Sequence, residues 1–366
     1  MTIINLQTPQ VVELAPPSVS LAGWIRINLF NGVLSTVTTI AGLSFFAWII
    51  YAVGSWAFVN SVWTSPTAEG CQGITGACWS VIYARSRIIL FGLYPYEEHW
   101  RSATACGVIV LVVFLSCIPA LWTLLRLSLV WGIGAIVFYG LMRGGVLGLS
   151  VVPTDRWGGL SLTVYIFVSV CLIGMPGSIV LALARQSRLP VVRKMSTILI
   201  DWIRALPLLA ILFSAALIIP FALPEWLQGD KLTRVIAAFA LFFACYQAEN
   251  IRAGMQIIPA GQDEAAKSLG LNYWQRTSRI ILPQAFRNSL PAMINQFVMT
   301  FKDTSVITIV GFFDVLASAQ AAFGTAEWAP YYIEVYVFVG FIYFVFIFSL
   351  SRYGVYLEKR MRVGHE

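Results

Sequence analysis

Charge is what this sequence has least of. Only 11% of its 366 residues are Asp, Glu, Lys or Arg, against about 25% in an ordinary soluble domain, while 58% are hydrophobic. That balance excludes an aqueous globule and indicates a chain solvated largely by lipid. Histidine is nearly missing: His99 and His365 are the only two, neither has a companion at ligand spacing, and no metal site is expected. No Gly-Lys dipeptide occurs, hence no phosphate-cradling loop for ATP. A zinc-protease His pair and a Gly-x-Ser-x-Gly nucleophile turn are also missing. The chain is expected to be non-catalytic and to bind no cofactor itself.

Cysteine is sparse. Of six, Cys106, Cys117, Cys171 and Cys245 fall inside apolar runs and read as small core residues, whereas Cys71 and Cys78 share a polar loop. The formal charge of +7 comes without a Lys/Arg stripe interleaved with aromatics, so no nucleic-acid partner is expected. Met1 to Asn31 lacks the charged, apolar and cleavage-site order of a secretory signal, so the first span is read as retained.

What is abundant is long apolar runs. A spanning helix needs about 20 mostly apolar residues. Eight runs qualify: Gly32 to Val59, Thr104 to Thr123, Leu127 to Met142, Leu160 to Arg185, Ser196 to Leu223, Val235 to Ile251, Pro291 to Val315 and Tyr331 to Tyr353. The segment Trp79 to Tyr96, broken by Arg85 and Arg87, reads as an interfacial or re-entrant helix. The fold class is therefore all-α and polytopic.

Basic residues collect after the fourth span (Arg185, Arg188, Arg193, Lys194), between spans six and seven (Lys267, Arg276, Arg279, Arg287) and at the C-terminus (Arg352, Lys359, Arg360, Arg362). With eight alternating spans these clusters share one side, which the positive-inside rule makes the cytoplasm. Both termini are then cytoplasmic, and the loop with Cys71 and Cys78 faces outward. A disulfide there is permitted by compartment and spacing, with two unbonded thiols the alternative. Residues 1–31 read as a cytoplasmic tail, 32–159 as an accessory extension of three spans with outward loop 60–103, 160–353 as the core, and 354–366 as a second tail. No internal repeat is evident.

Between spans six and seven lies a polar segment, Pro259 to Pro291, inside the wider stretch 253–291. It reads as two short cytoplasmic helices. The first, Gln262 to Leu269, stops at Gly270, a residue that takes the left-handed conformation easily. The second opens with Asn272 as cap and Gln275 three residues on, an approximate capping box. Its apolar side is Tyr273, Thr277, Ile280 and Ile281, with Arg276 and Arg279 pointing elsewhere and Pro283 ending it. Periodicity alone leaves two uses open, rest on the lipid surface or docking to a soluble partner.

The order Glu264, Ala265, Ala266, then Gly270, then Leu282 and Pro283 resembles the EAA loop of bacterial ABC-importer permeases. The stretches Asp201 to Phe213, Ala248 to Ala266 and Asn295 to Gly311 are similar to polar amino-acid uptake permeases. The chain departs from that pattern at Ala205, Leu206 and Ala253. Gly76 to Trp100 is similar to the longer M-type permeases of general L-amino-acid importers. The resemblance implies a type I importer core in the bacterial inner membrane, a second homologous permease subunit, a cytoplasmic ATPase dimer holding ATP and Mg, and a periplasmic amino-acid-binding protein. It implies coupling to the ATPase through Gln262, Asp263, Glu264, Ala265, Ala266, Leu269, Gly270, Leu282 and Pro283.

Charged residues near spans five to seven form a second constellation: Asp201, Arg204, Glu249, Arg252, Lys302 and Asp303. Each costs roughly 2.5 to 3.5 kcal/mol at a helix centre, so partners or snorkelling are expected. Arg204, Glu249, Asn295, Lys302, Asp303, Thr304 and Ser305 are candidates for a substrate path or a gate, with structural ion pairing the alternative. Tyr331, Tyr332, Tyr336, Phe338, Trp24 and Trp100 read as interface anchors and packing. The rival class is an ion-coupled secondary carrier with Lys302, Asp303 and Glu249 as a relay, and a scaffolding subunit is a third reading. A carrier needs no docking hairpin.

Overall fold

A backbone surrounded by hydrocarbon must satisfy its N–H and C=O groups internally, so apolar runs of this length form helices. The computed structural model describes residues 20–362, with side chains through Met361; residues 1–19 of the expected tail, and His365, lie outside the described residues. The described chain forms two compact units, residues 20–62 with 73–77, and residues 63–72 with 78–362. The unit boundary thus falls after the first span, and spans two and three belong with the expected core.

In the first unit, α1 (Leu21–Leu29) is capped by Ser20, whose hydroxyl accepts the Gly23 N–H at 3.2 Å. The helix α2 (Val33–Gly54) continues through a π-helical turn, Ser55–Val59. It is apolar on every side and buries none of its residues against protein, the pattern of a lipid-solvated span. Returning chain pairs there, Val62 N–H to Ala77 O at 2.9 Å and Ala77 N–H to Trp56 O at 2.8 Å.

The second unit contains α3 (Ser80–Phe91), α4 (His99–Ser116), α5 (Leu124–Arg143), α6 (Gly159–Arg185), α7 (Pro190–Ala205), α8 (Leu208–Phe213), α9 (Ile219–Ala222), α10 (Glu225–Gln228) and α11 (Lys231–Gln256). It continues with α12 (Ala260–Ser268), α13 (Tyr273–Arg276), α14 (Leu282–Asp303), α15 (Val315–Phe323) and α16 (Tyr332–Arg362). Its centre is α11, packed on α6 and α14. Leu162, Ile166 and Val170 of α6 are buried with Val235, Phe239 and Phe243 of α11. A two-residue parallel bridge joins Gly158 and Gly159 to Phe313 and Asp314.

Six described helices are long and apolar enough to cross a membrane, seven if a bent pair counts as one. They correspond to the expected first, second, third, fourth, sixth and last spans, with the fifth as the bent pair. The second is displaced, running from Tyr96 to Ser116, because Pro119 holds Ile118 extended at ψ 117°. The fifth is not one helix. Leu206 precedes Pro207 and is extended at ψ 141°, so α7 and the following α8 to α9 segment meet at 104°. The seventh does not begin at Pro291: α14 starts at Leu282, passes through Pro291 and stops at Asp303. Its many polar side chains keep it below the hydropathy of a plain span, and a 3-10 turn, Thr304–Thr308, leads on toward α15. The segment Trp79 to Tyr96 contains α3, which buries Ser80, Val81 and Ile89 and packs on α15.

Close helix contact in membranes depends on small residues. At Gly254 of α11 an added Cβ would lie 2.3 Å from the Ala285 carbonyl oxygen of α14. Gly254→Ala is expected to destabilise the detergent-solubilised protein by about 1 to 3 kcal/mol in thermal unfolding. Gly261→Ala, where nothing lies within 4 Å, serves as the neutral control.

Candidate functional site

The polar hairpin is built by its end caps. The helix α12 begins directly after Pro259 and ends in a Schellman motif: Gly270 N–H donates to Lys267 O at 2.9 Å and Leu271 N–H to Ala266 O at 3.2 Å. Gly270 stands at φ +74°, so the expected left-handed stop is where glycine allows it. The capping box is complete, with Gln275 N–H donating to Asn272 Oδ1 at 2.9 Å and Asn272 N–H to Gln275 Oε1 at 3.1 Å. Pro283, however, does not end the second helix. From α13 the chain runs through a π-helical turn, Thr277–Ile281, straight into α14, with Pro283 directly behind that turn.

Asp263 ties the two arms. Its carboxylate pairs with Lys267 Nζ at 2.5 Å on its own helix and with Arg276 Nε at 2.6 Å across the hairpin, so Arg276 faces inward rather than away. The Lys267 hydrogen bond first, and then attraction to Arg276, hold the Asp263 carboxyl below its ordinary value of 3.8. Ala266 is 1% exposed and packs within the hairpin. Gln262, Glu264, Ala265, Leu269 and Gly270 are exposed, Leu269 at 78%. Leu282 is half-buried and Pro283 exposed. Behind α12 lies a cavity of about 1040 Å³, lined by Leu183, Arg188, Ile258, Asp263, Arg276 and Ile281 among others.

Glu249 of α11 is a hub. Its carboxylate meets Arg185 at 3.0 Å, Arg252 at 2.9 Å and Arg204 at 3.7 Å, and Arg185 also reaches Asp201 at 2.9 Å. The Arg204 guanidinium lies over the Tyr246 ring, 5.1 Å from its centroid. The structure thus brings together Asp201, Arg204, Glu249 and Arg252 and adds Arg185, which closes α6. Sequence order hid that residue among the topology-setting cations. The cluster links α6, α7 and α11 close to the bend at Pro207.

Lys302 and Asp303 are separate from this cluster, and among the described residues neither forms an ion pair. Asn288, Asn295 and Lys302 recur every seven residues on one exposed face of α14, with Met299 between. The Asn288 amide donates to Gly254 O at 3.1 Å. Lys302 and Ser305 line a second cavity, about 340 Å³, with Leu316, Tyr336, Gly340 and Tyr343. Thr304 is buried, its hydroxyl donating to Phe301 O at 2.7 Å.

Cys71 and Cys78 are disulfide-bonded, with Cα atoms 5.8 Å apart. The Cys78 N–H donates to buried Glu334 at 2.8 Å, and the Ala68 N–H to Glu327 at 3.1 Å. Both carboxylates went unnoticed in the sequence. So did Arg101, fully buried in α4, which donates to Leu141 O at 2.8 Å and Ser150 O at 3.0 Å. It stands in the polar stretch Glu97 to Ser102 just before an apolar run, where nothing in the sequence sets it apart. Tyr332 and Tyr336 are partly exposed and pack on Phe323, while Trp24 and Trp100 are exposed.

Residues 174–363 match the family described as binding-protein-dependent transport system inner membrane component. The chain belongs to that family and is a multi-pass inner-membrane protein. It is 39% identical over 348 residues to the inner membrane amino-acid ABC transporter permease protein YhdY of Escherichia coli, covering 93% of each chain. It is 33% identical to the glutamate/glutamine/aspartate/asparagine transport system permease protein BztC of Rhodobacter capsulatus, covering 96% of each. A solved amino acid ABC transporter with histidines is 30% identical over 55% of this chain and 92% of that one, with a TM-score of 0.49.

The cluster is only partly buried, so removing Glu249 strands three guanidinium groups that water still reaches. Glu249→Ala is expected to destabilise the protein by about 1 to 2 kcal/mol in chemical unfolding. Arg204→Ala, at the longer contact, is expected to cost clearly less. Because the folded Asp263 pKa is depressed, its contribution is complete above its ordinary value of 3.8 and is lost as pH falls through the lower folded value. Protection factors of the amides in residues 260–276, corrected for the pH dependence of intrinsic exchange, are expected to fall on acidification in that range, and those of Asp263→Asn to be low at every pH.

Proposed function

We propose that this chain is the permease subunit of an ATP-driven importer that passes L-amino acids into the cytoplasm. The observation that carries this reading is the hairpin at 259–291. It presents an exposed row, Gln262, Glu264, Ala265 and Leu269, on a helix braced from behind by Asp263, Arg276 and buried Ala266. A secondary carrier has no use for so braced a polar protrusion. In this reading the exposed row seats in a cytoplasmic ATPase dimer, which holds ATP and Mg, and Gly270, Leu282 and Pro283 fix the direction in which α14 leaves the contact. Ala265 lets the helix approach closely, and Glu264 pairs with a basic group across it.

Amino acids as the cargo are supported by the relatives, both named as amino-acid permeases. A periplasmic binding protein delivers them, and both termini and the hairpin are cytoplasmic. The exposed polar face of α14 supports a second, homologous permease subunit. Asn295 within α14 and Lys302 in its last turn would be costly if turned to lipid, the lysine by up to about 2.5 to 3.5 kcal/mol at the bilayer centre. Facing a partner across a wet passage removes that cost. Asp303 and Ser305 follow Lys302 half-buried, whereas Thr304 is buried behind them. The Glu249 and Arg204 cluster, at the junction of three helices, is the gate-side brace.

The test is ATP-dependent uptake of a panel of amino acids by the reconstituted complex with its ATPase and binding protein. Leu269→Asp or Ala265→Asp is expected to lower uptake at least tenfold while the chain stays in the membrane. Ala266→Asp is expected instead to loosen the hairpin itself. Full uptake by both exposed-row variants, or uptake driven by an ion gradient without ATP, overturns the reading.

A further inference from the structure

The helix α7 sorts its residues into three sectors rather than the two of an ordinary amphipathic helix. Ser196, Ile200 and Ile203 are buried and face the core. Val191, Met195, Ile198 and Trp202, spaced four, three and four, form a second apolar stripe on a different side, exposed by 67%, 68%, 58% and 62%. Arg193, Lys194, Asp201 and Arg204 fill the sector between, and all are exposed. A transmembrane placement would sink that charged sector into hydrocarbon, and a placement in water would leave the apolar stripe uncovered.

The bend decides between them. The apolar segment after α7 turns from it by 104°. When that segment follows the membrane normal, α7 lies close to the membrane plane. A helix at that depth meets protein on one side, the acyl boundary on a second and water on a third, which is the sorting observed. The charges select the lipid. Asp201, the acid of α7, is occupied by Arg185. Arg188 faces the cavity behind α12, where it attracts Asp263. Among the described residues Arg193 and Lys194 have no ion pair, and they lie in the first turns of the helix, whose dipole adds positive potential.

We propose that α7 is an interfacial helix whose stripe of Val191, Met195, Ile198 and Trp202 lies in the acyl boundary while Arg193 and Lys194 bind anionic lipid headgroups. It holds the α6 to α8 connection at a fixed depth beside the Glu249 cluster.

The experiment uses the full chain, in the assembly with which it purifies, in nanodiscs of phosphatidylglycerol and phosphatidylcholine. A bimane probe is placed on Met195→Cys and, separately, on Thr197→Cys, with the labelled parent chain as background. Phospholipid bearing a quencher near the headgroup is expected to quench the Met195 probe several-fold more than aqueous iodide does, and the Thr197 probe less. Stronger quenching of the Met195 probe by iodide places the stripe in water, and protection from both quenchers places it under protein; either overturns the proposal. For the headgroups, phosphatidylglycerol is expected to raise the Tm above that in phosphatidylcholine alone, and the Arg193→Gln, Lys194→Gln double variant to lose at least half of that difference. An unchanged difference overturns the anionic-lipid assignment.

Discussion

In hydrocarbon there is no water to replace a lost backbone hydrogen bond, and that constraint organises this molecule. It makes almost every long segment helical, so the places where the ladder is interrupted carry the design. At Pro207 the missing N–H and the extended residue before it produce the 104° turn between α7 and α8. At Pro283 the helix instead proceeds, with the proline directly behind a π-helical turn. The same residue type thus accompanies a break at Pro207 and continuous helix at Pro283 and Pro291.

Charge is handled by the same economy of unsatisfied groups. Cations that arrive at the ends of α6, α7 and α11 converge on one carboxylate, Glu249, so that a few acids hold three helices together. Asp263 does likewise for the hairpin, joining the arm that would meet a partner to the arm that continues as α14. Exposed Leu269 and the start of α14 are thereby held in one short, ion-paired hairpin. The polar face of α14, with Asn288, Asn295 and Lys302, begins directly after that hairpin.

Much of this was legible beforehand. The apolar runs that became α5, α6 and α11 were readable to within a few residues because lipid solvation demands length and hydropathy and little else. The capping box at Asn272 and the glycine stop at Gly270 were readable because a cap is a local event, decided by residues three or four apart. The broken fifth span and the early start of α14 were not. Hydropathy averages over a window and does not register which carbonyl a proline leaves without a donor. The outcome at Pro207, Pro283 and Pro291 depends on neighbouring helices that stabilise one backbone path over another.

The sequence by itself determined that this chain lives in a membrane, where most of its apolar helices run, and how the polar segment between α11 and α14 is capped, since those follow from composition and local spacing. Tertiary structure alone decided which charges meet, that Arg185 joins Glu249, that Arg276 turns in toward Asp263, and that Glu334 receives the Cys78 N–H. Such pairs join residues far apart in the chain, or across a turn whose angle no periodicity encodes. Their attraction acts only once packing of apolar surface has placed the helices within a few ångströms of one another.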